Sequence, residues 1–128
     1  MRLLFDTQLI LWWLNGDRTL PAEAIRRARQ PDATVFVSKA SLWEMAIKVA
    51  IGKLDANIPR IATEIPVNGF RWLEIEPAHV VRLVSLPFFE DHKDPFDRLL
   101  VAQCLAEPLL MLTTDAKLSL YGPTVLVV

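Results

Sequence analysis

Four acidic residues in this chain lie where an apolar, strand-like run gives way to a loop or a helix. They are Asp6, Glu44, Asp97 and Asp115. If the apolar runs form one parallel sheet, their carboxyl ends share one edge, and acids at those ends converge although they are far apart in sequence. Convergent carboxylates repel one another unless a hard cation lies between them, and Mg²⁺ prefers oxygen ligands. The placement therefore predicts a metal site suited to phosphoryl-transfer chemistry.

Two of these acids also have a purely structural explanation. Asp94 and Asp97 flank Pro95 as they would at a helix N-terminus, with Asp94 as the N-cap. Asp97 would then occupy the third helical position, where a negative charge complements the helix dipole. Ser41 and Glu44 have the spacing of a capping box. These segments alone do not distinguish helix caps from a functional site.

The other two acids are harder to explain as structural residues. Asp6 follows a buried strand-like run, and as a helix cap it gains little that Thr7 would not supply. Asp115 follows the apolar run 109–112 and is either a turn residue or, by its position, a metal ligand. Together the four acids make a stronger case for a metal site than any one of them does.

The elements that must position these acids alternate between strands and helices. Local patterns predict strands at 2–5, 34–37, 71–75, 109–113 and 124–128, helices at 7–15, 21–30, 38–51, 58–70, 77–86 and 94–106, and a helical turn at 115–121. The helix at 58–70 is the weakest of these, because Pro66 and Gly69 interrupt it. The alternation indicates an α/β fold, a three-layer α/β/α sandwich around a parallel sheet of about five strands. The length of 128 residues predicts one domain, 1–128.

Composition excludes several classes of protein. Apolar residues make up 52% of the chain, but the longest apolar run is the six residues 9–14, far short of the roughly 20 that a membrane span needs. The first residues lack the apolar stretch of a secretory signal, and the single Cys104 cannot form an internal disulfide. We therefore expect a cytoplasmic protein. Because the net charge is only −1, a nucleic-acid substrate would have to be held locally.

Two apolar features predict contact with a partner. The helix at 7–15 is apolar all round, so it is either fully buried or half covered by a second chain. Trp43 is the other candidate, because aromatic side chains dominate interface energetics. We expect some of this apolar surface to face a partner, because a domain of this size has a limited core.

The histidines and the cysteine form no recognisable site. His79 and His92 do not combine with Cys104 at any zinc-binding spacing, and the chain has no glycine-rich phosphate loop. We interpret His79 as a helix residue without a special role and Cys104 as a small buried hydrophobe. For His92, a loop-structural role is favoured and contact with substrate is the alternative.

Several segments together carry a family pattern. They are FDT at 5–7, WWL at 12–14, SLWEMAIK at 41–48, GKL at 52–54, HKDPFDRLL at 92–100 and LTTD at 112–115. As a set they resemble a PIN-domain ribonuclease of the VapC toxin type, from a type II toxin-antitoxin system. The resemblance runs along the whole chain, and the block 94–100 is its most specific part.

The resemblance implies a sheet in the order 3-2-1-4-5, an acidic pocket that binds Mg²⁺ or Mn²⁺, and endonucleolytic cleavage of RNA. The implied metal-binding and catalytic acids are Asp6, Glu44, Asp97 and Asp115. Thr113 matches a family hydroxyl beside the pocket, and with Arg98 and Lys48 it completes the predicted substrate contacts. Gln8 departs from the histidine often found there, which puts no metal ligand in doubt.

The chemistry of phosphodiester hydrolysis agrees with these residue types. One or two Mg²⁺ ions supply an activated water, charge neutralisation at the phosphoryl oxygens and stabilisation of the leaving oxygen. One carboxylate, Asp6 or Asp97, would also orient or deprotonate the water. Lys48, four residues after Glu44, is either a helix ion-pair partner or a residue that controls the charge of the pocket. Lys53 is a further candidate for phosphate contact.

Partners follow from the resemblance alone. It implies a toxin that is inhibited by a cognate antitoxin and that forms a homodimer. Transfer RNA is the commonest target among relatives, but no residue in this chain selects a particular RNA.

Two rival functions remain open. An aspartyl-nucleophile phosphatase also begins with a strand followed by an aspartate, but it needs a second aspartate two residues later, where this chain has Gln8. A catalytically silent PIN-fold binding module is the other rival. A missing acid would favour it, and all four acids are present.

Overall fold

The computed structural model describes all 128 residues. Its strands are β1 Arg2–Phe5, β2 Thr34–Ser38, β3 Arg71–Leu73, β4 Leu110–Thr113 and β5 Val125–Val127. Its helices are α1 Thr7–Asn15, α2 Ala22–Ala28, α3 Lys39–Ala50, α4 Ile58–Val67, α5 Pro77–Leu83 and α6 Pro95–Ala106, followed by a 3₁₀ helix, Ala116–Tyr121. The predicted alternation of strands and helices is confirmed, including the weakly signalled α4.

The strands form one parallel sheet in the order β3-β2-β1-β4-β5, which confirms the predicted order. Successive side chains of a strand point to opposite faces. In β1, Leu3 and Phe5 belong to one core cluster and Leu4 to the other, and all three are fully buried. Helices therefore cover both faces of the sheet, as the three-layer prediction requires.

Helix α1 follows β1 with no intervening loop. Asp6 is its N-cap, and Gly16, with φ of 61°, ends it in the left-handed conformation that glycine adopts without strain. Leu9 and Ile10 are fully buried, and Trp13 packs edge-on against Phe5. Most of this apolar helix thus serves the internal core.

Some predicted boundaries are wrong by a few residues. The helix predicted at 77–86 ends at Leu83, and the chain continues to Leu86 as turns in which each amide donates to the carbonyl three residues earlier. The strand predicted at 71–75 ends at Leu73. Ser38, predicted as the first residue of α3, is instead its N-cap, and its hydroxyl accepts a hydrogen bond from the Ala40 amide.

His79 links α5 to α6, so the prediction that it has no special role is wrong. The ring is fully buried. Its Nδ1 accepts from the Glu76 amide at 3.0 Å, and its Nε2 donates to Glu107 Oε2 at 2.5 Å. Both ring nitrogens therefore have partners.

Apolar surface remains exposed on α3. Trp43 is 55% exposed and packs edge-on against Phe96, and Ile47 and Ile51 follow it at four-residue intervals. Such intervals place the three side chains on one face of the helix. None of the helices combines the length and the apolar character needed to cross a bilayer.

Candidate active site

A cleft of about 310 Å³ opens at the carboxyl ends of β1 and β4. Its walls include the four predicted acids and two lysines: Asp6, Glu44, Asp97, Asp115, Lys48 and Lys53. The acids come from the end of β1, from α3, from the first turn of α6 and from the residue before the 3₁₀ helix. Ligand sites of open parallel sheets form at such edges, where the strand order reverses.

Asp6 is at once a helix cap and a wall of the cleft. Its Oδ1 accepts from the Leu9 amide at 2.9 Å, and its Oδ2 accepts from the Thr113 hydroxyl at 2.5 Å. Burial raises the pKa of Asp6, while the hydrogen bond from Thr113 opposes the increase. Contrary to the expectation from the sequence, Asp6 does serve as a helix cap, and it also lies beside Thr113 at the predicted pocket.

Glu44 has both carboxylate oxygens engaged. Oε1 accepts from the Thr7 hydroxyl at 2.7 Å, and Oε2 accepts from Lys48 Nζ at 2.8 Å. The hydrogen bond to Glu44 raises the pKa of Lys48. Ser41 and Glu44 do not form the capping box that their spacing suggested, because α3 begins earlier, at the cap Ser38. The helix ion pair predicted for Lys48 is present, and both of its residues line the cleft.

The surroundings of Asp97 strongly raise its pKa. It occupies the first turn of α6, and Asp94 caps that helix by accepting from the Phe96 and Asp97 amides. Burial raises the pKa of Asp97 to about 7, and repulsion from Asp94, Glu44 and the other cleft acids adds to the effect. A carboxylate that only complemented the helix dipole would show the opposite shift.

His92 lies against two of the acids. Its Nε2 is 3.3 Å from Asp97 Oδ2 and 3.9 Å from Asp115 Oδ2, and the ring is 5% exposed. The possible ligand atoms of these three residues all lie within 4.8 Å of one another. Sequence reasoning favoured a loop-structural role for His92. Its position five residues before Asp97, at the entry to α6, was the only available signal for this contact.

Arg98, predicted to contact substrate, does not line the cleft. Its Nη1 donates to the Pro87 carbonyl at 2.8 Å and to the Tyr121 hydroxyl at 3.0 Å. The guanidinium also lies over the Phe88 ring, 4.8 Å from its centre. In this structure Arg98 fastens the segment before α6 to the 3₁₀ helix.

Negative charge in the cleft exceeds the positive charge available to balance it. Lys48 is paired with Glu44. Among the three aspartates of the cleft, only Asp97 and Asp115 have a basic neighbour, and both share His92. A divalent cation would relieve the repulsion, and the carboxylate oxygens are donors suited to such an ion.

A family model described as PIN domain matches residues 3–122. A sequence search against curated proteins gave no match. The solved structures that resemble the fold include VapBC2 from Rickettsia felis bound to a DNA fragment from their promoter, with a TM-score of 0.71 and 12% identity over 100% of this chain and 98% of that chain. A toxin-antitoxin complex from Klebsiella pneumoniae has a TM-score of 0.64 and 22% identity over 96% of this chain and 94% of that chain. Mycobacterium tuberculosis VapC20, a sarcin-ricin loop cleaving toxin, has a TM-score of 0.64 and 16% identity over 94% of this chain and 95% of that chain.

At these identities the structural matches show a common fold alone. The family model, by contrast, covers most of the chain, and PIN domains bind divalent metals, in agreement with the acidic cleft. The predicted family resemblance is confirmed: the chain belongs to the PIN-domain family, and toxins of toxin-antitoxin complexes are among its structural neighbours.

Proposed function

We propose that this protein is a Mg²⁺-dependent endoribonuclease that acts as the toxin of a toxin-antitoxin pair. The observation that carries the proposal is the convergence of four acids from four separate segments on one cleft. PIN domains are typically metal-dependent nucleases, and none of the four predicted acids is missing.

The proposed ion is held by Asp6, Asp97 and Asp115. Mg²⁺ fits oxygen donors best, and Mn²⁺ accepts the same ligands. Glu44 was predicted as a fourth ligand: its oxygens accept hydrogen bonds from Thr7 and Lys48, as those of Asp6 do from Leu9 and Thr113, and each oxygen keeps a lone pair for the ion. Glu44 also holds Lys48 in the cleft.

A bound divalent cation supplies charge neutralisation at the phosphoryl group and acidifies the attacking water. The chain itself positions the other reactants. Asp97 Oδ1 has no hydrogen-bond partner within the chain and is free to orient water, whereas both oxygens of Asp6 are engaged. Lys53 lines the cleft without a carboxylate within ion-pair distance, and with Lys48 it would attract the phosphate backbone of RNA.

The proposed partners are a cognate antitoxin and a second copy of the chain. Relatives of the same fold were crystallised as toxin-antitoxin complexes, one of them with promoter DNA. Trp43, Ile47 and Ile51 form an exposed apolar face on α3 that suits burial by a protein partner. RNA as substrate would place the activity in the cytoplasm. Transfer RNA is one candidate substrate, and the sarcin-ricin loop, the target named for VapC20, is another.

Labelled total RNA incubated with the purified protein tests the proposal. We expect discrete internal cleavage with Mg²⁺ and none with EDTA, and none with the nearly isosteric variant Asp115→Asn, because a neutral amide is a poor ligand for a hard cation. Mapping the ends of the products identifies the RNA. Binding of RNA without cleavage under every metal condition would instead support the silent binding module. Cleavage that persists in EDTA would exclude a metal-dependent mechanism.

A further inference from the structure

Three residues connect the cleft to the opposite end of the 3₁₀ helix. Arg98 Nη1 donates to the Tyr121 hydroxyl at 3.0 Å, and that hydroxyl lies 3.4 Å from His92 Nδ1. On its other side, His92 Nε2 lies 3.3 Å from Asp97 Oδ2 and 3.9 Å from Asp115 Oδ2. The contacts join the segment before α6, the first turn of α6 and both ends of the 3₁₀ helix.

The partners determine the direction of each hydrogen bond. Arginine has no acceptor, so the Tyr121 oxygen accepts from Arg98. The Tyr121 side chain is buried, and the acceptor within reach of its proton is His92 Nδ1. An ionised carboxylate only accepts, so His92 Nε2 donates toward Asp97. In this arrangement every buried group has a partner.

Direct ligation of a metal by His92 would disturb this arrangement. Nε2 would have to present its lone pair to the ion, and Nδ1 would carry the proton instead. The buried Tyr121 hydroxyl would then lose its acceptor, and leaving a buried polar group unsatisfied is costly. The hydrogen-bond pattern thus favours His92 as a donor to the Asp97 carboxylate over His92 as a ligand.

We infer that His92, held by Tyr121 and Arg98, is a positioning residue that orients the carboxylate of Asp97 for a divalent cation. The inference rests on the proposed function for the identity of the site. It gives Arg98 a role other than the predicted substrate contact, as the anchor that fixes the Tyr121 hydroxyl. Partners that orient metal ligands in this way typically contribute about 10 to 100-fold to metal affinity.

Two matched variants test the inference. In His92→Gln the amide nitrogen lies roughly where Nε2 does and can still donate to Asp97, whereas in His92→Asn it lies roughly where Nδ1 does and cannot reach the acids. Mg²⁺ and Mn²⁺ affinities are measured by calorimetric titration, with melting temperatures in EDTA as the folding control. We expect His92→Asn to lose about tenfold or more in affinity for both ions, and His92→Gln to stay close to the wild type.

Tyr121→Phe provides a second variant, which keeps the aromatic packing and removes the hydroxyl. Tyr121→Phe should lower the affinity for both ions, as His92→Asn does, but by a smaller factor. Equal affinities in the wild type and all three variants would overturn the inference while leaving the proposed function intact. A selective loss of Mn²⁺ binding would overturn it in favour of a nitrogen ligand, because imidazole prefers transition metals. A wild-type protein that binds neither ion would overturn both.

Discussion

The chain contains two buried histidines, each beside a carboxylate and each packed near α6, but their surroundings differ. His79 faces one acid, Glu107, and its other ring nitrogen accepts from the Glu76 amide. His92 faces two acids, Asp97 and Asp115, within a cleft that holds two more. The first site is balanced, because one histidine faces one carboxylate. In the second site the carboxylates outnumber the basic side chains.

This difference separates a structural pair from a candidate active site. A buried histidine bonded to an acid is not by itself a sign of function, because a satisfied pair of this kind fastens helices together. An excess of carboxylates is a different matter. It costs stability without metal, and burial together with neighbouring acids raises the pKa of Asp97 to about 7. Such a cost is expected where a protein must bind a cation.

Loss of a proposed metal ligand should reduce RNA cleavage far more than the matched change at the balanced site does. Asp6→Asn or Asp115→Asn should reduce RNA cleavage by more than the roughly 10 to 100-fold that loss of an outer-shell partner causes, since each removes a proposed ligand. Glu107→Gln, the matched change at the balanced site, should leave cleavage at the wild-type rate. Initial rates on a labelled RNA, with circular dichroism to confirm folding, measure both. Near wild-type rates for both aspartate variants would remove them from the metal site.

The next prediction concerns stability at the balanced site. Glu107→Ala leaves the buried Nε2–H group of His79 without its acceptor, which should lower the free energy of unfolding by about 1–3 kcal/mol. Glu107→Gln keeps an acceptor at the same place and should cost less. Urea denaturation in EDTA gives both values. If Glu107→Ala unfolds at the wild-type urea concentration, the His79 link does not hold α5 to α6.

Much of the fold was predictable because local signals and global topology agree. Apolar runs marked the strands, and Asp94 with Pro95 marked the start of α6, where the structure has it. The order of the strands was implied by the family resemblance, because no single segment of the sequence shows which strands pair. The edge strand β3 was overextended, because only part of the run 71–75 finds a partner strand.

The acids of the site were predictable and their partners were not. Asp6 and Asp115 follow strands, so their convergence required only the parallel sheet. The contacts of His92 and Arg98 depend on the path of the chain between α5 and α6, where no periodic pattern indicates direction. A residue can also have two roles: Asp6 both caps α1 and lines the cleft, although cap and site look like alternatives in the sequence.

The excess of negative charge in the cleft should have a smaller effect, on the stability of the protein without metal. Asp97 has a folded-state pKa of about 7, above the ordinary value of 3.8 for an aspartate, so the folded state retains the proton to higher pH. In EDTA, the contribution of this group to stability should therefore be greatest below about pH 4, fall as the pH rises from about 4 to 7, and level off above that range. Asp97→Asn removes this contribution. Melting temperatures between pH 4 and 8 should decline less steeply in the variant.

Adding Mg²⁺ should reverse the order of the two proteins. Without metal at pH 7.5, Asp97→Asn should be as stable as the wild type or more so, because one repelling charge is gone. With Mg²⁺ the wild type should gain stability as its site fills, and the variant should gain much less because it has lost a proposed ligand. A helix-dipole role alone predicts the opposite pattern: the variant would lose up to about 1 kcal/mol in both conditions, and Mg²⁺ would not change the difference. Melting curves of both proteins in EDTA and across a Mg²⁺ titration decide between the two, and equal responses to Mg²⁺ would exclude Asp97 from the metal site.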